Sequence, residues 1–468
     1  MPTGKRPMTA SWSWLLCLSL ILGACASLPP DRPVPEAGQP KVPIRVDDES
    51  GPLPPAQAAA AVQRIEAEDA RGLLTRHLSE VESVMSAPLA VGNNAHLLID
   101  GPQTEKAMLS AITRARHHVD LETYVLEATG IGDRLASVLE AKRAERVAVR
   151  VLYDSIGSLS TPPEYFERLK AAGIAVCAFN PVNPLRLQGN ALLSLNNRDH
   201  RKLLIVDNRA AFTGGINISN VYSSPSSSRK NKEPSRVEGW RDTHVAVRGP
   251  VVDQFQKRFD ESWRSQGCPD GEDSGQRINA PAAKAGNMAM RLVAADPLAE
   301  RSEPYLALLS AIEHAQRRVW LTYGYFVPDQ RIRRALQDAA RRKVDVRLVL
   351  PSFSDLWAPL YAGRSRYSEL LEAGVRIFER RDALLHAKTA VIDGVWSSVG
   401  STNLDWRSFI HNYEADLLVL DSGFANELEQ LSGLDQSASN EIVESGWRRR
   451  GIKSRLLEWL ARFWEYEL

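Results

Sequence analysis

This chain of 468 residues has few cysteines, almost no excess charge and no apolar run of the roughly 20 residues that a membrane-spanning helix needs. Four cysteines are too few for a disulfide scaffold at this length. Lysine and arginine number 58 against 57 aspartate and glutamate, whereas a protein that coats nucleic acid is usually strongly basic. The remaining composition, 44% hydrophobic and 25% charged, is typical of one large globular domain or two to three smaller ones.

The first 24 residues have the pattern of a secretory signal peptide. Lys5 and Arg6 give a positive start, and an apolar stretch follows at 14–22. The stretch ends in Leu22-Gly23-Ala24-Cys25, which resembles the bacterial lipobox, where the cysteine is acylated and the chain is cut just before it. We therefore expect residues 1–24 to be removed and Cys25 to carry lipid; an uncleaved anchor with an incidental cysteine is the alternative.

Composition divides the rest of the chain into segments. Residues 25–60 are rich in proline and are expected to form an extended tether, because such a segment cannot bury enough apolar surface to fold. The body is then predicted to comprise residues 61–267 and 287–440, separated by a polar linker at 268–286. Residues 441–468 form the last segment.

That last segment, 441–468, is predicted to be an amphipathic helix in which basic residues gather toward the start. It could lie on a membrane surface or pack on the body of the protein. Its apolar face carries Ile452, Leu456, Trp459, Leu460 and Phe463. A second set of side chains could line an acyl entrance in the second half or simply pack in its core: Tyr323, Tyr325, Phe326, Trp357 and Tyr361.

The body is an internal duplication. Leu109-Ser110-Ala111-Ile112 recurs as Leu309-Ser310-Ala311-Ile312, and an apolar strand follows each copy. Strands that alternate with helices indicate β-α-β units. We therefore expect an α/β protein of two tandem halves, related by an approximate twofold axis, with mostly parallel or mixed sheets flanked by helices.

Each half carries the same chemical pattern, HxKxxxxD followed by glycine and then asparagine. All positions match at one constant separation, which is very improbable by chance in two copies. The residues are His200, Lys202, Asp207 and Asn217 in the first half and His386, Lys388, Asp393 and Asn403 in the second.

This pattern suits a phosphate group. Residues two apart in a strand face the same way, so each histidine is expected beside its lysine, and the twofold axis can bring both pairs to one pocket. Lysine and asparagine would bind the phosphate oxygens, while one imidazole attacks phosphorus and the other serves as acid and base. The two imidazoles need different protonation states, for which Asp242 and Glu414 are the candidate carboxylates. No metal or other cofactor is expected, since the protein supplies the cations.

From about Val91 to Leu420 the sequence resembles the phospholipase D superfamily, which is named for two HxKxxxxD motifs. The second motif is similar to that of the bacterial cardiolipin synthases over LLHAKTAVIDGVWSSVGSTNLDWRSFIHNYEADLLVL. The lipobox-like start and the compact length suggest the C-type branch.

The resemblance implies a role for each motif residue. His200 would form a phosphohistidine, and His386 would be the acid and base. Asp207 and Asp393, although part of the candidate catalytic motif, would hold the fold rather than touch substrate. Glu414 would support the opposite or the neighbouring histidine. The lysines and asparagines of both motifs would bind phosphate.

The halves differ by an insertion, SSPSSSRKNKEPSR, between Asn217 and Asp242. It is predicted to be a mobile loop beside the phosphate site, either a gate that contacts anionic headgroups or a plain surface loop. Its basic residues are Arg229, Lys230, Lys232 and Arg236.

Together these observations predict a phosphatidyltransferase that makes cardiolipin from phosphatidylglycerol and a second phospholipid, either phosphatidylglycerol or phosphatidylethanolamine. It would be a lipoprotein of the bacterial envelope that faces the periplasm, in the outer membrane because Ala26 rather than aspartate follows Cys25. No nucleic acid partner is expected. The alternatives are a phospholipase D-type hydrolase, an exported nuclease, or a non-catalytic lipoprotein that binds lipids. Cys177 and Cys268 could pair after export or stay reduced.

Overall fold

The computed structural model describes residues 42–69, 71–181, 196–226, 239–269, 281–297, 299 and 301–465. The helices in these ranges are α1 (Pro55–Ala67), α2 (Leu73–Val81), α3 (Asp100–Thr113), α4 (Ile131–Ala144), α5 (Pro163–Ala171), α6 (Val252–Ser265), α7 (Glu303–His314), α8 (Gln330–Arg341), α9 (Trp357–Arg364), α10 (Tyr367–Glu372), α11 (Ser422–Ser437), α12 (Glu444–Trp447) and α13 (Ile452–Ala461). Short turns of other helix types lie at Glu82–Val84, Asn220–Tyr222, Arg407–His411 and Arg462–Trp464.

The strands in the same ranges are β1 (Val46–Asp48), β2 (Gly51–Pro52), β3 (Leu89–Ile99), β4 (His118–Thr123), β5 (Ala148–Asp154), β6 (Ala175–Phe179), β7 (Arg198–Asp199), β8 (Leu203–Val206), β9 (Ala210–Gly214), β10 (Thr243–Arg248), β11 (Met288–Ala295), β12 (Arg318–Tyr323), β13 (Asp345–Pro351), β14 (Arg376–Arg380), β15 (Lys388–Ile392), β16 (Trp396–Gly400), β17 (Asn412–Leu420) and β18 (Ser439–Ile442).

The two halves repeat one sheet topology. In the first half β4, β5 and β6 are parallel, and β8, β9, β10 and β3 extend the sheet antiparallel from β4. In the second half β12, β13 and β14 are parallel, and β15, β16, β17 and β11 extend it in the same order. The two sheets join where β11 pairs antiparallel with β3. The expected mixed α/β fold of two related halves is therefore confirmed, with three adjacent parallel strands in each half.

Burial explains why these segments form sheet and helix. The central strand β4 is buried on both faces, as a strand covered by helices on either side must be. Helix α6 turns Phe255, Phe259 and Trp263 toward the core at the spacing of one helical face. Helix α11 does the same in the second half with Phe424, Leu428 and Leu431 among its buried residues.

The predicted tether ends earlier than residue 60, which corrects that boundary. Strand β1 pairs in parallel with β3, and the guanidinium of Arg45 donates a 2.8 Å hydrogen bond to the buried carboxylate of Glu82. Helix α1 begins at Pro55 and buries Val62 and Ile65. These contacts hold the segment on the body. Residues 25–41, the predicted signal peptide and Cys25 lie outside the described residues.

Helices α1 and α2 pack with the second half, although they were predicted to begin the first. Trp396 donates a 3.1 Å hydrogen bond from its indole nitrogen to the buried ring of His77. The other ring nitrogen of His77 lies 3.2 Å from the hydroxyl of Ser310. The N-terminal helices of the described chain thus pack on the second half, although they precede the first half in sequence. The order of motifs along the sequence does not reveal this packing.

Cys177 in β6 and Cys268 beyond α6 form a disulfide with their Cα atoms 5.7 Å apart. Of the two alternatives that the sequence leaves open, the structure therefore shows the paired state. The cross-link ties β6 to the residues that directly follow α6.

The predicted C-terminal helix is divided. Residues 439–442 form β18 at the edge of the second sheet, and two helices, α12 and α13, follow. Helix α13 packs on α9, where Ala461 is fully buried with Val327 and Ala362. Across the described ranges, none of the helices has the length and apolar character needed to cross a membrane.

Candidate active site

The two motif histidines lie just before equivalent strands, His200 ahead of β8 and His386 ahead of β15. Each lysine contacts the backbone of its own histidine, although His200, Lys202 and His386 lie outside the strands. The ammonium group of Lys202 donates to the backbone carbonyl of His200 at 2.5 Å, and Lys388 makes the same contact with His386.

Backbone pairing between the halves sets the position of both histidines. The amide of His200 donates to the carbonyl of Tyr413 at 2.9 Å, and the amide of His386 donates to the carbonyl of Arg241 at 2.8 Å. Each of these carbonyls belongs to the residue directly before a carboxylate, Glu414 or Asp242. The register therefore delivers each carboxylate to the histidine of the opposite half.

Both predicted carboxylates contact a histidine. His200 Nδ1 lies 3.0 Å from each carboxylate oxygen of Glu414, and His386 Nδ1 lies 2.8 Å from Oδ2 of Asp242. The side chains of Glu414 and Asp242 are fully buried. Each imidazole therefore keeps its Nδ1 on a carboxylate, so that Nε2 is left for chemistry.

The two histidines have different electrostatic surroundings. Burial and the charges of Lys202 and Lys388 hold the pKa of His200 well below its usual range. Burial and Lys388 also lower the pKa of His386, but the hydrogen bond and charge of Asp242 act in the opposite direction. Lysines of both halves act on His200, so both motifs contribute to one electrostatic site.

The carboxylates also differ. Burial raises the pKa of Glu414 to about 6, even though Lys202 and the hydroxyl of Ser401 favour its ionised form. Burial raises the pKa of Asp242 as well, but His386, Lys388 and the amide of Thr243 together outweigh it, so the pKa of Asp242 is lowered. Asp242 is therefore the more firmly ionised partner.

The two lysines share a buried positive pocket. Burial, only partly offset by Glu414, lowers the pKa of Lys202 to about 7. Burial, partly offset by Asp242 and Glu414, lowers the pKa of Lys388 to about 8. An anion bound between two ammonium groups would favour their charged forms, so the pocket is suited to a phosphate.

The motif asparagines are buried beside the histidine segments. The side-chain oxygen of Asn217 accepts a 3.3 Å hydrogen bond from the amide of Val125. The side-chain oxygen of Asn403 is buried with no hydrogen-bond partner among the described residues. The glycine that precedes each asparagine in the motif is required for close packing: a Cβ at Gly400 would lie 1.9 Å from Oδ1 of Asp416, and one at Gly214 would lie 2.5 Å from the carbonyl of Thr243.

Asp207 and Asp393 are bound by backbone amides, in agreement with the structural role that the resemblance implies for them. The carboxylate of Asp207 accepts from the amides of Arg116, His117 and His118 at 2.7 to 2.9 Å. The carboxylate of Asp393 accepts from the equivalent amides at 316–318. Both aspartates close the far end of the strand that their histidine begins, so they hold the fold.

The sequence did not single out several aromatic neighbours of the histidines. The hydroxyl of Tyr222 lies 3.1 Å from Nδ1 of His386, and the ring of Trp240 lies 5.3 Å from the same imidazole. The ring of Tyr124 lies 5.1 Å from that of His200. These residues have no counterpart in the other half. For example, Tyr124 follows β4 in the first half, whereas Gly324 follows β12 in the second. A side chain at position 324 would not fit, because its Cβ would lie 2.6 Å from the Cα of His386. Comparing the sequences of the two halves therefore could not have identified Tyr222, Trp240 or Tyr124 as site residues.

The side chains that could line an acyl entrance or pack in the core differ in their surroundings. Tyr323 and Phe326 are buried in the core, whereas the ring of Tyr325 lies 5.9 Å from that of His386. Trp357 is exposed. Arg229, Lys230, Lys232 and Arg236 of the insertion lie outside the described residues. In the part of the chain that the structure describes, no three histidine, cysteine, aspartate or glutamate side chains are grouped to hold a metal ion.

Comparison with protein families identifies two matching segments. Residues 108–263 and 308–432 match the family described as cardiolipin synthase, phospholipase D-like domain. The two segments fall in the two halves of the fold.

Curated bacterial relatives span most of the chain. The chain is 36% identical to cardiolipin synthase A of Pseudomonas fluorescens over 76% of this chain and 71% of that protein. It is 32% identical to cardiolipin synthase of Geobacillus thermodenitrificans over 80% of this chain and 72% of that protein. Assignment to the C-type branch stays a prediction.

Among solved structures, phosphatidylserine synthase from Haemophilus influenzae is similar, with a TM-score of 0.58 and 13% identity. The match covers 79% of this chain and 92% of that one. At this identity the likeness shows a shared fold.

Proposed function

This chain belongs to the cardiolipin synthase family of phospholipase D-like proteins, and we propose that it is a phosphatidyltransferase that forms cardiolipin through a phosphohistidine. The observation that carries this proposal is the crossed pairing of His200 with Glu414 and His386 with Asp242. Two imidazoles, each held by a carboxylate of the other half, suit a reaction that needs both a nucleophile and an acid.

In the first step the lone pair of His200 Nε2 attacks phosphorus of a donor phospholipid. The N–P bond forms, the P–O bond to the headgroup breaks, and His386 Nε2 gives its proton to the leaving alkoxide. Glu414 stabilises the positive charge that develops on the His200 ring. Lys202 and Lys388 hold the non-bridging oxygens, and we assign Asn217 and Asn403 to the same phosphate.

In the second step neutral His386 takes the proton of a phosphatidylglycerol hydroxyl. The oxygen attacks phosphorus, the N–P bond breaks, and His200 returns to its neutral form. Cardiolipin leaves the site, and both imidazoles are ready for the next cycle. The same residue thus serves as acid and then as base.

The surroundings of the histidines support this division of roles. The strongest influences on His200 all lower its pKa, so its ring stays neutral and nucleophilic. Asp242 favours protonation of His386, and a bound phosphodiester would add a second negative charge. His386 is therefore the better proton donor of the two.

We propose that the protein works at the bacterial envelope, tethered by lipid on Cys25 and facing the periplasm, in the outer membrane. The disulfide between Cys177 and Cys268 supports export, since such bonds persist in oxidising compartments. The donor is phosphatidylglycerol or phosphatidylethanolamine. Metabolic labelling with a fatty acid, compared with a Cys25→Ser variant, tests the tether; a label retained in that variant would overturn it.

Turnover of labelled phosphatidylglycerol by the purified protein tests the function. Cardiolipin and glycerol in equal amounts are expected as products. Phosphatidic acid as the main product would instead show the hydrolase, in which water takes the place of the acceptor. The His200→Ala variant is expected to lose both products, and unchanged turnover in that variant would refute the catalytic assignment.

A further inference from the structure

Exposed apolar side chains are concentrated in three segments. The described residues include twelve large hydrophobic side chains that are exposed to solvent. Nine of these lie in the loop after β5, in the loop after β13 and the first residue of α9, or on the C-terminal helix α13 and the turn after it. We call these nine the docking face: Ile156, Leu159, Leu356, Trp357, Ile452, Leu456, Trp459, Leu460 and Phe463.

Two of the segments are equivalent loops of the two halves. Leu159 follows the end of β5 by the same number of residues as Leu356 follows the end of β13. Leu159 is 79% exposed and Leu356 is 53% exposed. Such a leucine at one position would be unremarkable, but its repetition across the duplication marks a shared place in the fold.

Each of the two loops is linked to the active site through its own tyrosine. In the first loop Ser158 donates a 3.1 Å hydrogen bond to the carbonyl of Tyr124, whose ring contacts His200. In the second loop Asp355 accepts a 2.7 Å hydrogen bond from the hydroxyl of Tyr325, whose ring contacts His386. Each exposed leucine therefore belongs to a loop that is linked through one tyrosine to one of the two histidines.

Helix α13 lies beside the second loop. It packs on α9, which begins with Trp357 and so continues directly from that loop. Its buried contact is Ala461, while the predicted apolar face points to solvent, with Trp459 55% and Phe463 64% exposed. Exposed apolar side chains grouped in this way mark a surface that interacts with a partner or with lipid.

Charge next to α13 indicates what covers this patch. Exposed basic residues stand on and just before the helix: Arg448, Arg449, Lys453 and Arg455. Basic residues beside tryptophan, phenylalanine and leucine are the combination by which helices lie in the interface of an anionic bilayer.

We propose that the docking face inserts into the surface of an anionic bilayer and holds the mouth of the pocket against it. The inference rests on the proposed function and adds the orientation of the protein on its substrate membrane. A lipid would pass between Leu159 and Leu356 with its phosphate moving toward the two histidines and its acyl chains still in the bilayer. A protein partner seated on the same face would cover the mouth and exclude the lipid.

Environment-sensitive fluorophores on single cysteines test where the bilayer lies. The positions are Leu159→Cys, Leu356→Cys and Phe463→Cys, with Leu434→Cys, an exposed leucine outside the docking face, as the matched control. The full chain is mixed with vesicles of phosphatidylglycerol and phosphatidylcholine that contain brominated acyl chains, and the unsubstituted chain gives the background. A lipid tether does not affect the comparison, because all variants carry it.

Quenching at the three docking positions and none at Leu434→Cys is the expected result. A label at Leu159→Cys or Leu356→Cys that stays in water while the protein sediments with the vesicles would overturn the proposal. Quenching at Leu434→Cys as strong as at the docking positions would do so as well, because the protein would then have no preferred orientation.

A second measurement links the docking face to turnover. The double variant Leu159→Ser/Leu356→Ser is expected to lose about tenfold in rate on vesicles, since two inserted side chains are removed, and to keep its rate on monomeric short-chain phosphatidylglycerol. Leu434→Ser should keep both rates. Equal loss on both substrates would refute a docking role. If the unsubstituted protein turned over neither substrate, the proposed function would fail while the fluorescence result would still decide the orientation.

Discussion

Substitution of Asp242 by asparagine tests the division of roles between the histidines. Asp242 is fully buried and lies 2.8 Å from Nδ1 of His386. Asparagine keeps the shape but removes the charge that raises the pKa of His386. A hydrogen bond to a buried charged group contributes roughly 1.5 to 3 kcal/mol, which corresponds to about one to two pKa units and to about 10- to 100-fold in rate.

The assay compares two donors that differ only in the leaving group. Phosphatidylglycerol releases an alkoxide that needs a proton, whereas phosphatidyl-p-nitrophenol releases a phenolate that departs as its anion. We expect Asp242→Asn to lose about 10- to 100-fold on the first donor. The first-turnover burst of nitrophenolate from the second donor should be almost unchanged, because that step does not need the acid. Glu414→Gln should slow both donors, since it disturbs the nucleophile His200.

Equal loss on both donors in the Asp242→Asn variant would show that His386 is not the acid of the first step. If Glu414→Gln were instead the variant with a selective defect on phosphatidylglycerol, the roles of the two histidines would be exchanged. Circular dichroism and the unfolding midpoint of each variant serve as the control for the fold.

Three further predictions follow from the same contacts. The kcat/KM should fall below about pH 6, because Glu414 (pKa about 6) gains a proton there and no longer accepts from His200. It should also fall above about pH 7, because Lys202 (pKa about 7) loses its charge there. A Glu414→Gln variant whose kcat/KM still falls below about pH 6 would contradict the first assignment. The double variant Cys177→Ser/Cys268→Ser opens a link between residues 91 apart in sequence, so urea unfolding should show a loss of about 2 to 4 kcal/mol in the free energy of unfolding; an unchanged midpoint would argue against a stabilising cross-link. Asp207→Ala leaves three backbone amides without their acceptor and should lower the free energy of unfolding by about 2 to 4 kcal/mol while kcat per folded molecule is unchanged; a large loss in kcat would return this residue to the active site.

The sequence by itself determined the duplication, the α/β class and the identity of the two histidine-lysine pairs. These follow from local information, namely the alternation of strand and helix patterns and a motif whose members are a few residues apart. The candidate carboxylates Asp242 and Glu414 were named because the two imidazoles need different protonation states, and Glu414 also matches the downstream glutamate of the family that the sequence resembles. The exposed face of α13 was visible as a helical spacing of apolar residues.

Only the tertiary structure decided how these parts meet. It assigned Glu414 to His200 and Asp242 to His386, joined Cys177 to Cys268, and placed α1 and α2 on the second half. It also linked the loops of Leu159 and Leu356 to the two histidines through Tyr124 and Tyr325. Each of these contacts joins segments that are far apart in the chain, and their register is set by backbone pairing between strands and by packing of the two halves. The local sequence pattern does not determine this register, because the same strands could pair with different neighbours without any change in the spacing of their residues.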